Sequence, residues 1–231
     1  MKRFYKQAAI VEGEAGFGIQ LDGRPVHTPA RAPLTLPSAR LAEAIASEWQ
    51  EQGDSIDPRS MPFTGLANGA IDQIATNIES FAAGIARYGE SDLLCYRAEG
   101  PSELIAREAA AWDPLLEWAG RRYDVTFRVT QGIIPVEQPA ATLERLGAAV
   151  GAFDAFTLAG LSTLVTLSGS LVCGLAIVDG GHDADAVWSA SEIDEAWEVE
   201  QWGEDADAAA RSALRRAEFS MARAFCDLAR G

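Results

Sequence analysis

The stretch GDSIDPRSMP, residues 53–62, separates two parts of this sequence that differ in pattern. It holds one glycine, two prolines and two aspartates, residue types that favour turns and interrupt helices and strands. The residues before it carry strand signals, and those after it are mainly helical in periodicity. We therefore predict an α+β protein, with a small β-rich domain containing one helix at residues 1–62 and a larger, mainly helical domain at residues 63–231.

Strand signals lie within the first 30 residues of the chain. Phe4–Val11 is one candidate strand. Phe17–Leu21 and Arg24–Thr28 are separated by Asp22-Gly23, which favours a tight hairpin turn because glycine accepts positive φ. Three prolines between residues 29 and 37 then end the strand pairing. The chain is therefore expected to begin with a hairpin sheet.

Helical periodicity begins at Ser38, a suitable N-cap residue. The apolar residues that follow at i, i+4 and i+8 spacing are Leu41, Ile45 and Trp49. Further helices are predicted after Thr64, from about Ser102 to Tyr123, and from Pro139 to nearly the end of the chain. A short strand is predicted at Val125–Val129.

The segment Ala155–Val178 contains 24 residues without a charge, which is long enough to cross a bilayer. It also contains several serines, threonines and glycines, and Ser168-Gly169-Ser170 is a natural break between two shorter helices. We therefore predict a buried helical hairpin and no membrane insertion. A peripheral membrane factor built on this segment remains an alternative.

The formal net charge of −15 argues against binding to nucleic acid, which requires a basic face. The three cysteines are odd in number and show no CxxC spacing, so neither a disulfide framework nor a zinc site is expected. The amino terminus lacks the long apolar stretch of a secretory signal. These features favour a folded protein in a reducing compartment.

Residues suited to catalysis are scarce. The only lysines are Lys2 and Lys6, so no P-loop is possible, and a serine or cysteine triad would have to use His27 or His182 without a nucleophile elbow. An acidic hydrolase that uses a pair of carboxylates remains an alternative, since the chain has 34 acidic residues. We otherwise expect no enzyme activity and no cofactor.

His182 lies close to Asp183 and Asp185, a grouping that invites a metal-binding interpretation. Two glycines followed by acidic residues are also typical of a loop that opens a helix, because carboxylates are favoured near the first helical turn. With no other histidine or cysteine nearby, we predict no metal site.

Residues 179–210 carry eleven acidic side chains, no lysine or arginine, and three of the six tryptophans. Placed on a helix at about 100° per residue, their apolar residues fall into two stripes on opposite sides. One stripe contains Ala186, Ala190, Ile193 and Trp197. The other contains Trp188, Val199 and Trp202, with Glu195 in its middle. Two stripes indicate either burial on both sides or one face kept for a partner, and the sequence leaves both open.

Five blocks of this sequence, in order, resemble the family of assembly chaperones for the alpha subunit of the catalytic head of F-type ATP synthase. The blocks are RFYK at Arg3–Lys6, LDGRPVHTP at Leu21–Pro29, LAEAIASEWQEQGDSIDPRSMPFTGLANGAID at Leu41–Asp72, WDPLLEW at Trp112–Trp118 and EVEQWGED at Glu198–Asp205. The resemblance implies a β-rich domain followed by a helical domain, no catalysis and no cofactor. It also implies that the protein binds the free alpha subunit as a monomer until the beta subunit replaces it.

The resemblance further implies roles for individual residues. The family's important acid in the carboxy-terminal helical region corresponds to Glu195, and the partner-binding set is then Glu195, Trp188, Val199, Trp202 and Glu198. Trp49, Trp112 and Asp113 correspond to positions with structural roles, and Glu108 stands where relatives have glutamine. The absence of a presequence is expected of a bacterial, cytoplasmic member, whereas eukaryotic relatives act in the mitochondrial matrix.

Overall fold

A computed structural model describes residues 1–231 and begins with a four-stranded antiparallel sheet. Its strands are β1 (Ala8–Gly13), β2 (Gly16–Leu21), β3 (Arg24–Pro25) and β4 (Thr35–Leu36). β2 pairs with each of the other three strands. Asp22 and Gly23 connect β2 to β3 with positive φ angles of 48° and 79°. The predicted hairpin is therefore confirmed.

The first strand begins at Ala8, later than the predicted start at Phe4. The residues before it are held by the end of the first helix and by the loop that follows it. The backbone N–H of Ile56 donates to the carbonyl of Met1 at 2.7 Å, and the Tyr5 hydroxyl donates to the carbonyl of Trp49 at 2.6 Å. These partners lie outside the sheet. Strand pairing therefore starts only after the residues that bind them.

Helix α1 (Ala39–Gln50) begins as the sequence predicts, because the Ser38 hydroxyl accepts a hydrogen bond from the N–H of Leu41 at 3.1 Å. Near its end, the Glu48 carboxylate accepts hydrogen bonds from the N–H groups of Phe63 and Thr64 at 2.7 and 2.8 Å. These N–H groups belong to the first turn of α2 (Pro62–Gly69). Glu48, a residue of α1, therefore caps the amino terminus of α2.

The remaining elements are mostly helical, which confirms the predicted fold class. The helices are α3 (Ile78–Ala86), α4 (Ser102–Tyr123), α5 (Ala140–Gly151), α6 (Ala155–Ser168), α7 (Leu171–Asp179), α8 (Ala184–Ser191), α9 (Ile193–Trp202) and α10 (Ala206–Arg230). Two short parallel strands, β5 (Tyr96–Arg97) and β6 (Thr130–Gln131), pair with each other. One π-helical turn, Ala70–Ile74, follows α2.

The chain forms two compact units. The first consists of Met1–Ile78, Asp154–Gly160 and Ala224–Gly231, and the second of Glu79–Phe153 and Leu161–Arg223. The first unit thus continues past residue 62 and takes in two later segments. The division into domains at residues 62 and 63 concerns folding units and stays a prediction.

The predicted break in the uncharged segment is present, with α6 ending at Ser168 and α7 beginning at Leu171. Gly169 has a φ of +68°, and the Ser170 hydroxyl accepts the N–H of Cys173 to cap α7. Within the second unit, a Cβ on Gly174 would lie 2.5 Å from Val165 Cγ2, so only glycine allows this close approach of α7 to α6. Residues 171–178 are all buried, as predicted for a core hairpin. None of the helices has the length and hydropathy needed to cross a membrane.

The acidic segment at residues 179–210 contains α8, α9 and the start of α10, so its two apolar stripes do not lie on a single helix. Gly180 ends α7 with a φ of +82°, and Asp183 caps α8 by accepting the N–H of Ala186. Gly203, with a φ of +89°, ends α9, and Asp205 then caps α10 through the N–H of Ala208. Two of the eleven acidic residues, Asp183 and Asp205, therefore act as N-caps of new helices.

The predicted strand at Val125–Val129 is also wrong, since these residues have no regular structure. Their backbone is satisfied by side chains instead of by a neighbouring strand. The Thr142 hydroxyl donates to the carbonyl of Thr126, and the Gln138 amide both accepts the N–H of Arg128 and donates to its carbonyl. Strand pairing begins one residue after the predicted segment, at Thr130.

Candidate partner-binding surface

Helix α9 lies on the surface of the second unit and has no buried residue. It is attached to α4 by Arg107, whose guanidinium donates to Glu200 at 2.8 Å and lies 4.8 Å from the ring centroid of Trp197. This contact holds the pKa of Glu200 below its usual value. A surface helix held mainly by polar contacts leaves most of its side chains available to another molecule.

Four predicted partner-binding residues lie together on this helix, and we call them the α9 surface: Glu195, Glu198, Val199 and Trp202. Trp202 is 79% exposed and Val199 is 40% exposed. Glu198 is exposed and forms no ion pair within the chain. Exposed apolar side chains that lie next to one another can mark a site of protein–protein interaction. The α9 surface thus combines two exposed apolar groups with two carboxylates.

Glu195 is held in place by α10. Its carboxylate lies 3.4 Å from Nη1 of Arg215, and the same guanidinium lies 3.0 Å from Glu192 at the start of α9. Burial raises the pKa of Glu192, Arg215 opposes that rise, and the neighbouring Glu195 adds to it. One arginine therefore fixes two carboxylates at the base of the helix.

Trp188, the fifth predicted partner-binding residue, is not on the surface with the other four. It is only 5% exposed, and its ring lies 5.2 Å from that of Phe219 on α10. The guanidinium of Arg215 lies 5.4 Å from the Trp188 ring centroid. Trp188 therefore supports the arginine that holds Glu195, and reaches the α9 surface only through it.

None of the three residues with predicted structural roles belongs to α9. Trp49 is half-buried in the first unit and packs on a core cluster of Tyr5, Leu21, Ile56 and Met61. Trp112 is fully buried in the second unit. Asp113 accepts a hydrogen bond from Arg97 at 2.6 Å, and this arginine lies over the Trp112 ring.

Two grooves run along α9. The first, the α10 groove, has a volume of about 310 Å³ and separates Glu195 and Val199 from the first turns of α10. The second, the loop groove, has a volume of about 750 Å³ and lies between α9 and the loops around residues 99–101 and 132–133. Its lining includes Trp202, Glu198, Trp197 and Ile133. Volumes of roughly 300–1,000 Å³ are typical of binding pockets.

The loop-side residues of the second groove were missed by the sequence prediction. Ile133 is 95% exposed and belongs to the run Gly132-Ile133-Ile134-Pro135, where two large apolar side chains stand in a loop. Apolar residues between a glycine and a proline have no helical or strand periodicity to place them in a core. Two large apolar residues in a segment without periodicity were therefore the sequence signal for an exposed apolar site.

A pair of carboxyl groups lies under the loop groove. Glu108 is buried and accepts the N–H of Ala98 with both oxygens, at 3.1 and 2.9 Å. Burial raises the pKa of Glu108, and a hydrogen bond with Asp194 of α9 raises it further. The hydrogen bond between Glu108 and Asp194 joins α4 to α9.

Other reactive groups lie apart from one another. No three His, Cys, Asp or Glu side chains are grouped closely enough to hold a metal ion. His182 packs edge-on against Trp118, with ring centroids 4.7 Å apart, and Asp183 serves as the cap of α8. Burial raises the pKa of the thiols of Cys95, Cys173 and Cys226 to about 12, so they remain protonated.

The sequence profile of the family described as ATP12 chaperone protein matches residues 2–120. The chain is 25% identical over 219 residues to the protein atp12, mitochondrial, of Schizosaccharomyces pombe, an alignment that covers 90% of this chain and 75% of the yeast protein. Among solved structures it is similar to Atp12 from Paracoccus denitrificans, at 42% identity and a TM-score of 0.95, covering 99% of this chain and 98% of that one.

A candidate chaperone from Agrobacterium tumefaciens is also similar, at 36% identity and a TM-score of 0.93. That match covers 98% of this chain and 85% of the other. The family profile ends within α4, so it does not include α9, whereas the match to the Paracoccus structure extends over nearly the whole chain.

Proposed function

Because the chain belongs to the ATP12 chaperone family, we propose that it assists assembly of F-type ATP synthase by binding the free alpha subunit. It shields the interface of that subunit until the beta subunit takes its place. One half of an obligate interface is an exposed apolar surface and an aggregation hazard until its partner arrives. The protein acts as a monomer in the bacterial cytoplasm. As a member of a chaperone family it is not an enzyme, which sets aside the acidic hydrolase.

The α9 surface supports this proposal most directly. Trp202 and Val199 are exposed beside Glu195 and Glu198 on a helix that buries none of its residues. Exposed tryptophan next to charged groups is characteristic of the few residues that dominate binding energy at protein interfaces. Trp188 contributes from inside the unit, by supporting Arg215 and through it Glu195.

Binding is tested with the purified chain and the purified alpha subunit, first alone and then with the beta subunit added. We expect the chain to form a complex with alpha, and we expect this complex to dissociate when beta is added. Glu195→Lys should weaken this complex by roughly tenfold or more, because it removes a carboxylate and places a second cation beside Arg215. Asp207→Lys, at an exposed position of α10 outside both grooves, is the matched charge control.

The two parts of the proposal fail differently. If the unmodified chain does not bind alpha, the assigned partner is wrong. If it binds alpha, and Glu195→Lys and Asp207→Lys bind equally well, the partner stands and the α9 surface is the wrong place.

A further inference from the structure

The rims of the loop groove carry exposed apolar side chains on two different elements. Ile133 belongs to the loop after β6, and Trp202 is the last residue of α9. Both line the groove, and both are mostly exposed to solvent. Each costs free energy when left in water, and together they leave an apolar surface on both sides of one depression.

The position of Ile133 is set by the backbone before it. The N–H of Gly132 donates to the carbonyl of Arg97 at 2.8 Å, and Gly132 has a φ of +73°. A Cβ at this position would lie 2.9 Å from Oε1 of Glu99. The positive φ favours glycine at this position, and the hydrogen bond to Arg97 anchors the loop directly before Ile133.

The groove is acidic around these apolar rims. Glu99, Asp194 and Glu198 line it, and none of them forms an ion pair within the chain. Arg97 is the only basic lining residue, but it is 6% exposed and pairs with Asp113. An occupant that buries its surface here must therefore supply positive charge of its own.

The size of the groove limits the occupant to a short segment of a larger molecule. A volume of about 750 Å³ accommodates a few side chains, whereas a whole protein interface buries roughly 800 Å² on each partner. The groove is partly open to solvent between α9 and the loops. An extended peptide segment meets these conditions, since alternate side chains can enter the groove while the others point away.

We propose that the loop groove binds an extended segment of the alpha subunit in which an apolar side chain lies next to a lysine or arginine. The apolar side chain packs between Ile133 and Trp202, and the cation pairs with the carboxylates of Glu99 and Glu198. This inference rests on the proposed function and adds to the α9 surface a second wall, built from the loop after β6.

A second copy of the chain is the competing occupant. Its net charge of −15 opposes docking into an acidic groove. The chain does have an apolar and basic stretch at its amino terminus, residues 1–6, but these residues are tied to the loop after α1. Ile56 donates to the Met1 carbonyl, and Arg3 donates to the carbonyls of Tyr5 and Gln52.

Two neighbouring isoleucines give a matched pair of variants. Ile133 lines the groove, whereas Ile134 is also exposed but does not line it. We expect Ile133→Ser to weaken binding of the purified alpha subunit by roughly tenfold and Ile134→Ser to change it by less than about twofold. Both isoleucines are exposed, so both variants should keep the thermal stability of the unmodified chain. Equal binding by the two variants overturns the proposal.

The charge requirement is tested with Glu99→Gln and the exposed control Glu137→Gln. We expect only Glu99→Gln to weaken binding, by about threefold, and to make binding less sensitive to salt. If binding by both variants has the same salt dependence as binding by the unmodified chain, the requirement for a basic residue in the occupant is disproved.

A photoreactive amino acid at position 133 identifies the occupant directly. With the alpha subunit present, we expect cross-links to one alpha segment that has an apolar residue beside a lysine or arginine. Cross-links to a second copy of the chain, or to acidic or scattered segments of alpha, overturn the proposal. Failure of the unmodified chain to bind alpha instead refutes the proposed function. Loss of binding in Glu195→Lys but not in Ile133→Ser refutes the loop groove alone.

Discussion

The indole Nε1 of Trp112 donates a hydrogen bond to the carbonyl oxygen of Ala190, 2.6 Å away in the core of the second unit. Trp112 lies in the middle of α4, and Ala190 lies near the end of α8, three residues before α9 begins. This bond therefore links the buried face of α4 to the residues just before the surface helix α9. It places the α9 surface relative to the core, although neither residue reaches that surface.

Trp112→Phe should lower the free energy of unfolding by about 1–3 kcal/mol, because it leaves the buried carbonyl of Ala190 without its donor. We also expect weaker binding of the alpha subunit, since the junction between α8 and α9 loses its anchor. Trp118→Phe removes the same atoms where the indole nitrogen has no partner in the chain. Urea unfolding measures both variants, and equal losses would contradict the role given to the hydrogen bond.

Glu48→Gln should destabilise the first unit. The Glu48 carboxylate accepts three hydrogen bonds, from the N–H groups of Phe63 and Thr64 and from the Thr64 hydroxyl. An amide offers one oxygen, and its NH₂ group would face donors. We expect a loss of about 1–3 kcal/mol in the free energy of unfolding. Glu43→Gln, at an exposed position on the same helix, should change it by less than about 0.5 kcal/mol.

Glu108→Gln should alter how stability depends on pH. Burial raises the pKa of Glu108 in the folded state, so the folded protein binds this proton more tightly than the unfolded chain does. The resulting stabilisation is fully present below the ordinary pKa of glutamate and is lost as pH rises through the raised value. Glutamine stays neutral and can still donate to Asp194.

We therefore expect the free energy of unfolding of Glu108→Gln to increase relative to the unmodified chain as pH rises from about 4 to 8. Urea titrations at several pH values measure this difference. The exposed Glu117→Gln, also on α4, is the control variant, and the trend should be specific to Glu108→Gln. A difference for Glu108→Gln that is constant across the pH range would show that its carboxyl does not titrate as described.

Arg215→Met should weaken binding of the alpha subunit indirectly, through the carboxylates that Arg215 holds and not through a contact of its own with alpha. It frees Glu192 and Glu195 and removes the hydrogen bond from Nη2 to the carbonyl of Leu167 at 2.8 Å. A loss of about 1 kcal/mol in the free energy of unfolding is expected as well. Its neighbour Arg216 pairs only with the exposed Asp185, so Arg216→Met is the control. Arg216→Met should bind alpha normally, and equal weakening by both variants would contradict the role of Arg215.

Local signals in the sequence were sufficient to predict several elements of the fold. Asp22-Gly23 required positive φ at a turn, Ser38 could cap a helix, and Gly169 interrupted a long uncharged segment. Each of these depends on one or two residues and their immediate backbone. They are read from sequence because no distant contact decides them.

Other features depend on contacts that sequence patterns do not contain. The acidic segment sorts into two stripes when it is placed on a helix, yet Asp205 caps a new helix inside it. On a helix, Trp188 falls on the same stripe as the exposed Trp202, but in the structure Phe219 packs against Trp188. The apolar Ile133 became part of a groove only because Gly132 binds the carbonyl of Arg97, 35 residues earlier. Such placements are decided by tertiary packing.

Helix α9 buries none of its residues and lies between a cap-less start at Glu192 and a glycine end at Gly203. Little burial energy opposes its local unfolding, so it belongs to the low-stability end of the protein. A complex formed through such a helix can come apart by peeling, with contacts broken a few at a time instead of all at once. The lifetime of that complex is then shorter than its buried area alone would give, which suits the proposed transfer of the alpha subunit to the beta subunit.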